Sequence, residues 1–132
     1  MWLTDLCAKE VGYKDGRIIW ELVMSLKWRR SDGSIVEAPT GFQTDFCSVP
    51  RHPAAIYGMF GAVLNRQGVI HDLAYRKDAG FTFEEANGLF HEVCQDRYPD
   101  EANDFEVDIM YGVLKRCGKS SYHQKCIADR LA

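Results

Sequence analysis

The run Ile18-Ile19-Trp20-Glu21-Leu22-Val23-Met24-Ser25-Leu26-Lys27-Trp28 alternates. Trp20, Leu22, Met24, Leu26 and Trp28 fall on one side of a two-residue repeat, and Glu21, Ser25 and Lys27 on the other. Successive side chains of a strand point to opposite faces, so the pattern predicts one strand over 18–28 with a buried face. Turn signals flank it at Asp15-Gly16 and Asp32-Gly33. Short runs at 8–13 and 34–38 then pair on either side, which makes a small antiparallel meander.

At Pro39 the texture changes. Pro39-Thr40-Gly41-Phe42-Gln43-Thr44-Asp45-Phe46-Cys47-Ser48-Val49-Pro50 is rich in turn residues and small hydroxyls, and Pro53, Gly58 and Gly61 follow. We read 39–61 as ordered loop with one helical turn near 53–59; structureless segments of this length in compact domains are functional or firmly tied down. Three helices come next. The first runs from about Ala62 to Lys77. The second opens on Thr82-Phe83-Glu84-Glu85, a capping box, and carries Phe83, Ala86, Leu89, Phe90, Val93 and Cys94 at helical spacing. The third is capped by Asp100, buries Phe105, Ile109, Met110, Val113 and Leu114, and stops at Gly118 after Cys117. The tail from Lys119 is either a short helix or partly loose. The expected fold is α+β: a β-meander packed on a bundle of about three helices, in one domain over 1–132.

Composition narrows the class. The chain has 132 residues, 46% hydrophobic and 27% charged, with a net charge of −3; that is a soluble domain able to bury a core. An acidic balance without basic blocks argues against nucleic acid as a partner. No window nears the about 18 apolar residues of a membrane span. Met1-Trp2-Leu3-Thr4-Asp5 lacks a signal-peptide pattern, so a cytoplasmic site of synthesis is expected. Five cysteines, Cys7, Cys47, Cys94, Cys117 and Cys126, have no C-x-x-C spacing. Free thiols follow, not a zinc or redox motif.

The chemistry-bearing stretch is Gly68-Val69-Ile70-His71-Asp72-Leu73-Ala74-Tyr75. His71 and Tyr75 are four apart and share a helix face; Asp72 lies about 100° further round. Buried polar groups are costly unless paired. Three roles are open: a general base with its carboxylate, a pair of metal ligands, or a satisfied structural pair. The loop around Asp45 and the Asn87/His91 pair on the second helix can converge on the same place. Ser48 has no G-x-S-x-G context.

Gly41-Phe42-Gln43-Thr44-Asp45-Phe46-Cys47-Ser48-Val49-Pro50-Arg51, followed by His71-Asp72-Leu73-Ala74-Tyr75-Arg76, resembles the family called domain of unknown function 1353. Its members carry G-F-x-T-D-x-x-S-V-P, then H-D-x-x-Y-R, then a helix with a polar residue before a Phe, here Glu85-Ala86-Asn87-Gly88-Leu89-Phe90. The likeness covers about residues 13–118. It implies a product of tailed bacteriophages: an accessory or virion-associated protein of the tail or tail tip. Such a protein is made in the host cytoplasm and built into the particle, with other phage proteins or a second copy as partner. Trp2, Leu3 and Leu6 are the expected docking residues. His-Asp-x-x-Tyr is also similar to the catalytic helix of secreted phospholipases A2, although the paired cysteines and glycine-rich calcium loop of those enzymes are missing. That likeness implies the alternative, a small hydrolase acting on a host envelope or lipid substrate. His71, Asp72 and Asp45 are then the candidate catalytic residues and the candidate ligands of a divalent cation, calcium or zinc. Thr44, Ser48, Tyr75, Arg76 and Asn87 are the supports. The family often has Asp where this chain has Asn87, which weakens a metal site there.

Overall fold

The computed structural model describes residues 1–46 and 64–131. Among the described residues, five strands, β1 (Ala8–Lys14), β2 (Arg17–Leu22), β3 (Leu26–Arg29), β4 (Ile35–Ala38) and β5 (Gln43–Thr44), precede three helices. These are α1 (Asn65–Ala74), α2 (Phe83–Cys94) and α3 (Asp104–Cys117), with a 3₁₀ turn at Gly118–Ser120. The architecture is α+β, as expected. Cys47, Ser48, the helical turn near 53–59 and the first residues of the 62–77 helix lie outside the described residues.

The expected strand over 18–28 is two strands in two sheets. β2 sits in a three-stranded antiparallel sheet of order β1-β2-β5, and β3 pairs with β4. The chain bends at Val23–Ser25, where Val23 N–H donates to the Cys7 carbonyl and Thr4 Oγ1 donates to the Ser25 carbonyl. Lys27 N–H in turn donates to Thr4 Oγ1. Leu22 and Leu26 stay buried on either side, while Met24 at the bend is exposed. Parity survives the break, and that is why the alternation reads as continuous. The Asp15-Gly16 signal holds: both residues have positive φ in a two-residue loop joining Lys14 to Arg17, the conformation that matches strand twist.

Helix α1 is the central element. Every residue from Gln67 to Arg76 is buried, so it has no solvent face. The strands cover it on one side, with Leu22, Leu26, Trp28, Val36 and Phe42 packed among Val69, Ile70 and Leu73. Helix α2 covers another side and joins α3 through Leu64, Phe90, Cys94, Val107, Met110 and Leu114. The Thr82–Glu85 capping box forms with both of its hydrogen bonds.

Three boundaries differ from expectation. Helix α3 starts three residues late, because Asn103 and Glu106 make the capping box that Asp100 lacks. The buried face therefore falls on Val107, Met110 and Leu114, and Phe105 is 72% exposed. Helix α1 ends at Ala74, since Lys77 N–H bonds the Lys125 carbonyl of the tail instead of continuing the helix. Gly118 adopts ordinary right-handed backbone; glycine is needed there because a Cβ would overlap the Tyr75 hydroxyl. Trp2 and Leu6, expected to dock a partner, pack on this chain's own core. The Trp2 indole donates to the Asp96 carbonyl, and Leu3 N–H pairs with the Lys27 carbonyl.

Candidate functional site

A helix buried all round must satisfy its own polar side chains, and α1 carries His71 and Asp72 into two different environments. His71 faces α2. Its ring lies 4.1 Å from the Tyr75 ring and 5.2 Å from that of Phe90, and Nε2 sits 3.4 Å from Asn87 Oδ1. Tyr75 donates its hydroxyl to the same oxygen at 2.7 Å. Burial drives the imidazole pKa down to about 4, outweighing the Asn87 bond, so the ring is neutral at pH 7. Burial likewise pushes the Tyr75 phenol far above its ordinary value.

Asp72 faces the strands. Thr44, on the two-residue strand β5, donates its hydroxyl to Asp72 Oδ2 at 2.5 Å, with both residues buried. Phe46 N–H donates to the same Thr44 oxygen, which turns the chain and aims Asp45 back toward Arg17. Arg17 Nη1 meets Asp45 Oδ2 at 3.0 Å. The other oxygen, Oδ1, is buried without a hydrogen-bond partner among the described residues. Burial first, then the Asp72 charge, raises the Asp45 pKa; Arg17 opposes both.

Arg76, one turn beyond Asp72, is 6% exposed. Its guanidinium lies 4.7 Å from the Phe42 ring centroid and donates to the carbonyls of Gln43 (2.9 Å) and Cys126 (3.0 Å). It thus joins α1, β5 and the tail. The tail, expected as a helix or as loose chain, is a turn-rich strap held at several points. His123 N–H bonds the Tyr75 carbonyl, Ile127 N–H bonds Asp78, and Leu131 N–H bonds Gln43 Oε1.

Between strap and helix lies a cleft of about 290 Å³, lined by Asp45, Asp72, Tyr75, Arg76, Ser120, Ser121, Gln124, Lys125 and Leu131. Of the expected residues, Asp45, Asp72, Tyr75 and Arg76 come together there; Thr44 and Asn87 support from behind. His71 does not line the cleft. His91 turns away to Asp108 and Tyr111. Among the described residues no three His, Cys, Asp or Glu side chains are placed to share a metal ion, so His71, Asp72 and Asp45 do not fit the calcium or zinc centre considered for them. The tail residues and Arg17 escaped the sequence reading. Ser120, Ser121, Gln124 and Lys125 carry no periodic signal, and a lone Arg beside a turn reads as surface.

No helix among the described residues is long and apolar enough to cross a membrane. The described cysteines are free thiols, Cys94 among them buried. Compared with known protein families, the chain matches one family model, described as Protein of unknown function (DUF1353), over residues 20–113. No curated protein and no solved structure matches the chain.

Proposed function

Because this chain belongs to the DUF1353 family, whose model spans most of its length, we propose that it is a bacteriophage accessory protein of the tail or tail tip. In this reading the His-Asp-x-x-Tyr-Arg motif locks the fold and does no chemistry. One observation carries the non-catalytic half: His71, the natural general base, is enclosed by Tyr75, Phe90 and Asn87 and stays off the cleft. A base must come within hydrogen-bond reach of the proton it takes. The phage half rests on the two-motif resemblance. The protein is then made in the host cytoplasm and built into the particle, where other phage proteins or a second copy receive it. The test is gradient sedimentation of intact particles from a producing culture, with an antibody against this chain. Co-migration with particles is expected; a chain found only in the soluble fraction overturns the reading.

A second reading, a small hydrolase of host envelope or lipid material, is favoured by Asp45. Its carboxyl is raised by burial beside Asp72, and both line the cleft. Two carboxyl groups side by side in one cleft are the usual makings of an acid and a base. Neither role needs His71. Wild-type protein releasing soluble product from labelled envelopes, with loss in a folded Asp45→Asn variant, supports this reading. Absence of release by wild type removes it.

A further inference from the structure

We propose that the cleft between α1 and the tail strap binds a neutral, hydroxyl-rich small molecule about the size of one sugar ring. The tail reading assigns no ligand to it, the hydrolase reading would use its carboxyls, and the inference needs neither.

Size comes first. At about 290 Å³ the cleft lies at the lower end of small-molecule sites, which span about 300–1,000 Å³. It has room for one ring and not for a chain of them.

Charge comes second. The floor carries two carboxylates, Asp45 and Asp72, and each has a cation beside it. Asp45 pairs with Arg17 at 3.0 Å. The buried Arg76 guanidinium interacts with the charges of Asp72 and Asp45. Arg76 has also committed two of its nitrogens to the carbonyls of Gln43 and Cys126. A ligand with net positive charge meets Lys125 at the rim; one with net negative charge meets the two aspartates. Neither finds an uncompensated counter-charge on the floor.

Hydrogen bonding comes third. The floor groups are taken up by internal pairs, so recognition falls to the rim. The hydroxyls of Ser120 and Ser121, the amide of Gln124 and the ammonium of Lys125 line it, and they suit a ligand that offers hydroxyls without adding charge. Those four residues come from one short segment of the strap, so the strap completes the site.

The test is an amide-shift NMR titration of the full chain with four probes: glucose, N-acetylglucosamine, ethylammonium and inorganic phosphate. At least one sugar should shift the amides of Asp45, Arg76 and residues 120–125 saturably. Its affinity should fall tenfold or more in Ser121→Trp, which fills the cleft from the rim. Gln124→Ala serves as a second variant with little risk to folding and should weaken binding severalfold. The proposal is overturned if neither sugar saturates, if the shifts persist unchanged in the folded variants, or if ethylammonium or phosphate binds there more tightly.

Discussion

Thr44 Oγ1 lies 2.5 Å from Asp72 Oδ2, both residues buried and 28 positions apart in the chain. This bond fastens the short strand β5 to the central helix. A hydrogen bond to a charged group contributes about 1.5–3 kcal/mol net. Thr44→Val keeps the shape and removes the donor, so it should cost that much in urea unfolding. Thr44→Ser should keep most of it. Equal stability of Thr44→Val and wild type would mean that the loop is held elsewhere.

Acid should destabilise the protein through His71. The folded-state pKa is about 4 and the unfolded value is 6.5. Between those values the unfolded chain binds the proton and the folded chain does not. Stability from this group is therefore complete above pH 6.5 and drains away as pH falls toward 4. A gap of this size corresponds to about 3 kcal/mol. His71→Leu should flatten that part of the pH profile, measured as urea midpoints from pH 7.5 to 4. Parallel profiles would show that the imidazole titrates freely in the fold.

Gly118 and Tyr75 should behave as a coupled pair. Gly118→Ala drives a methyl group into the Tyr75 hydroxyl, and overpacking of this kind costs about 1–3 kcal/mol. In a Tyr75→Phe background the same change should cost much less. A double-mutant cycle by calorimetry isolates the coupling. An additive cycle would mean that the backbone at Gly118 shifts freely.

Arg76 should govern the strap. Arg76→Met keeps apolar bulk over Phe42 but frees the carbonyls of Gln43 and Cys126. Removing one partner from a buried charge network costs about 3–5 kcal/mol. Amide exchange at Ile127 and Leu131 should accelerate well beyond any change in the α2 amides. Uniform acceleration throughout the chain would argue that Arg76 supports the whole fold and not the strap.

Most of the helical half was legible in local sequence. Thr82 and Glu85 satisfy each other's backbone within four residues, and no distant contact is needed to form that cap. Asn103-Asp104-Phe105-Glu106 makes the same device. Asp100 has Asn103 three positions on in place of a Glu or Gln, so it lacks the reciprocal partner of a capping box. With the cap at Asn103 the buried face is Val107, Met110 and Leu114, and Phe105 turns outward. The site was half legible: two motifs named Asp45, Asp72, Tyr75 and Arg76, but nothing in them showed that His71 would pack against α2 while Asp72, about 100° further round, meets β5.

By itself the sequence determined the fold class, the hairpin turn at Asp15-Gly16, the second helix cap and the presence of a polar motif in an apolar helix. Each follows from spacing within a few residues, where backbone geometry dictates which groups meet. Tertiary structure alone decided the bend at Val23–Ser25, the parting of His71 from Asp72, and the cleft under the tail. Those depend on partners far along the chain, as with Thr44 and Asp72, Arg76 and Cys126 (50 apart), and Gln43 and Leu131 (88 apart). A local pattern carries no record of contacts at that range, because they arise only when the packed core brings the segments together.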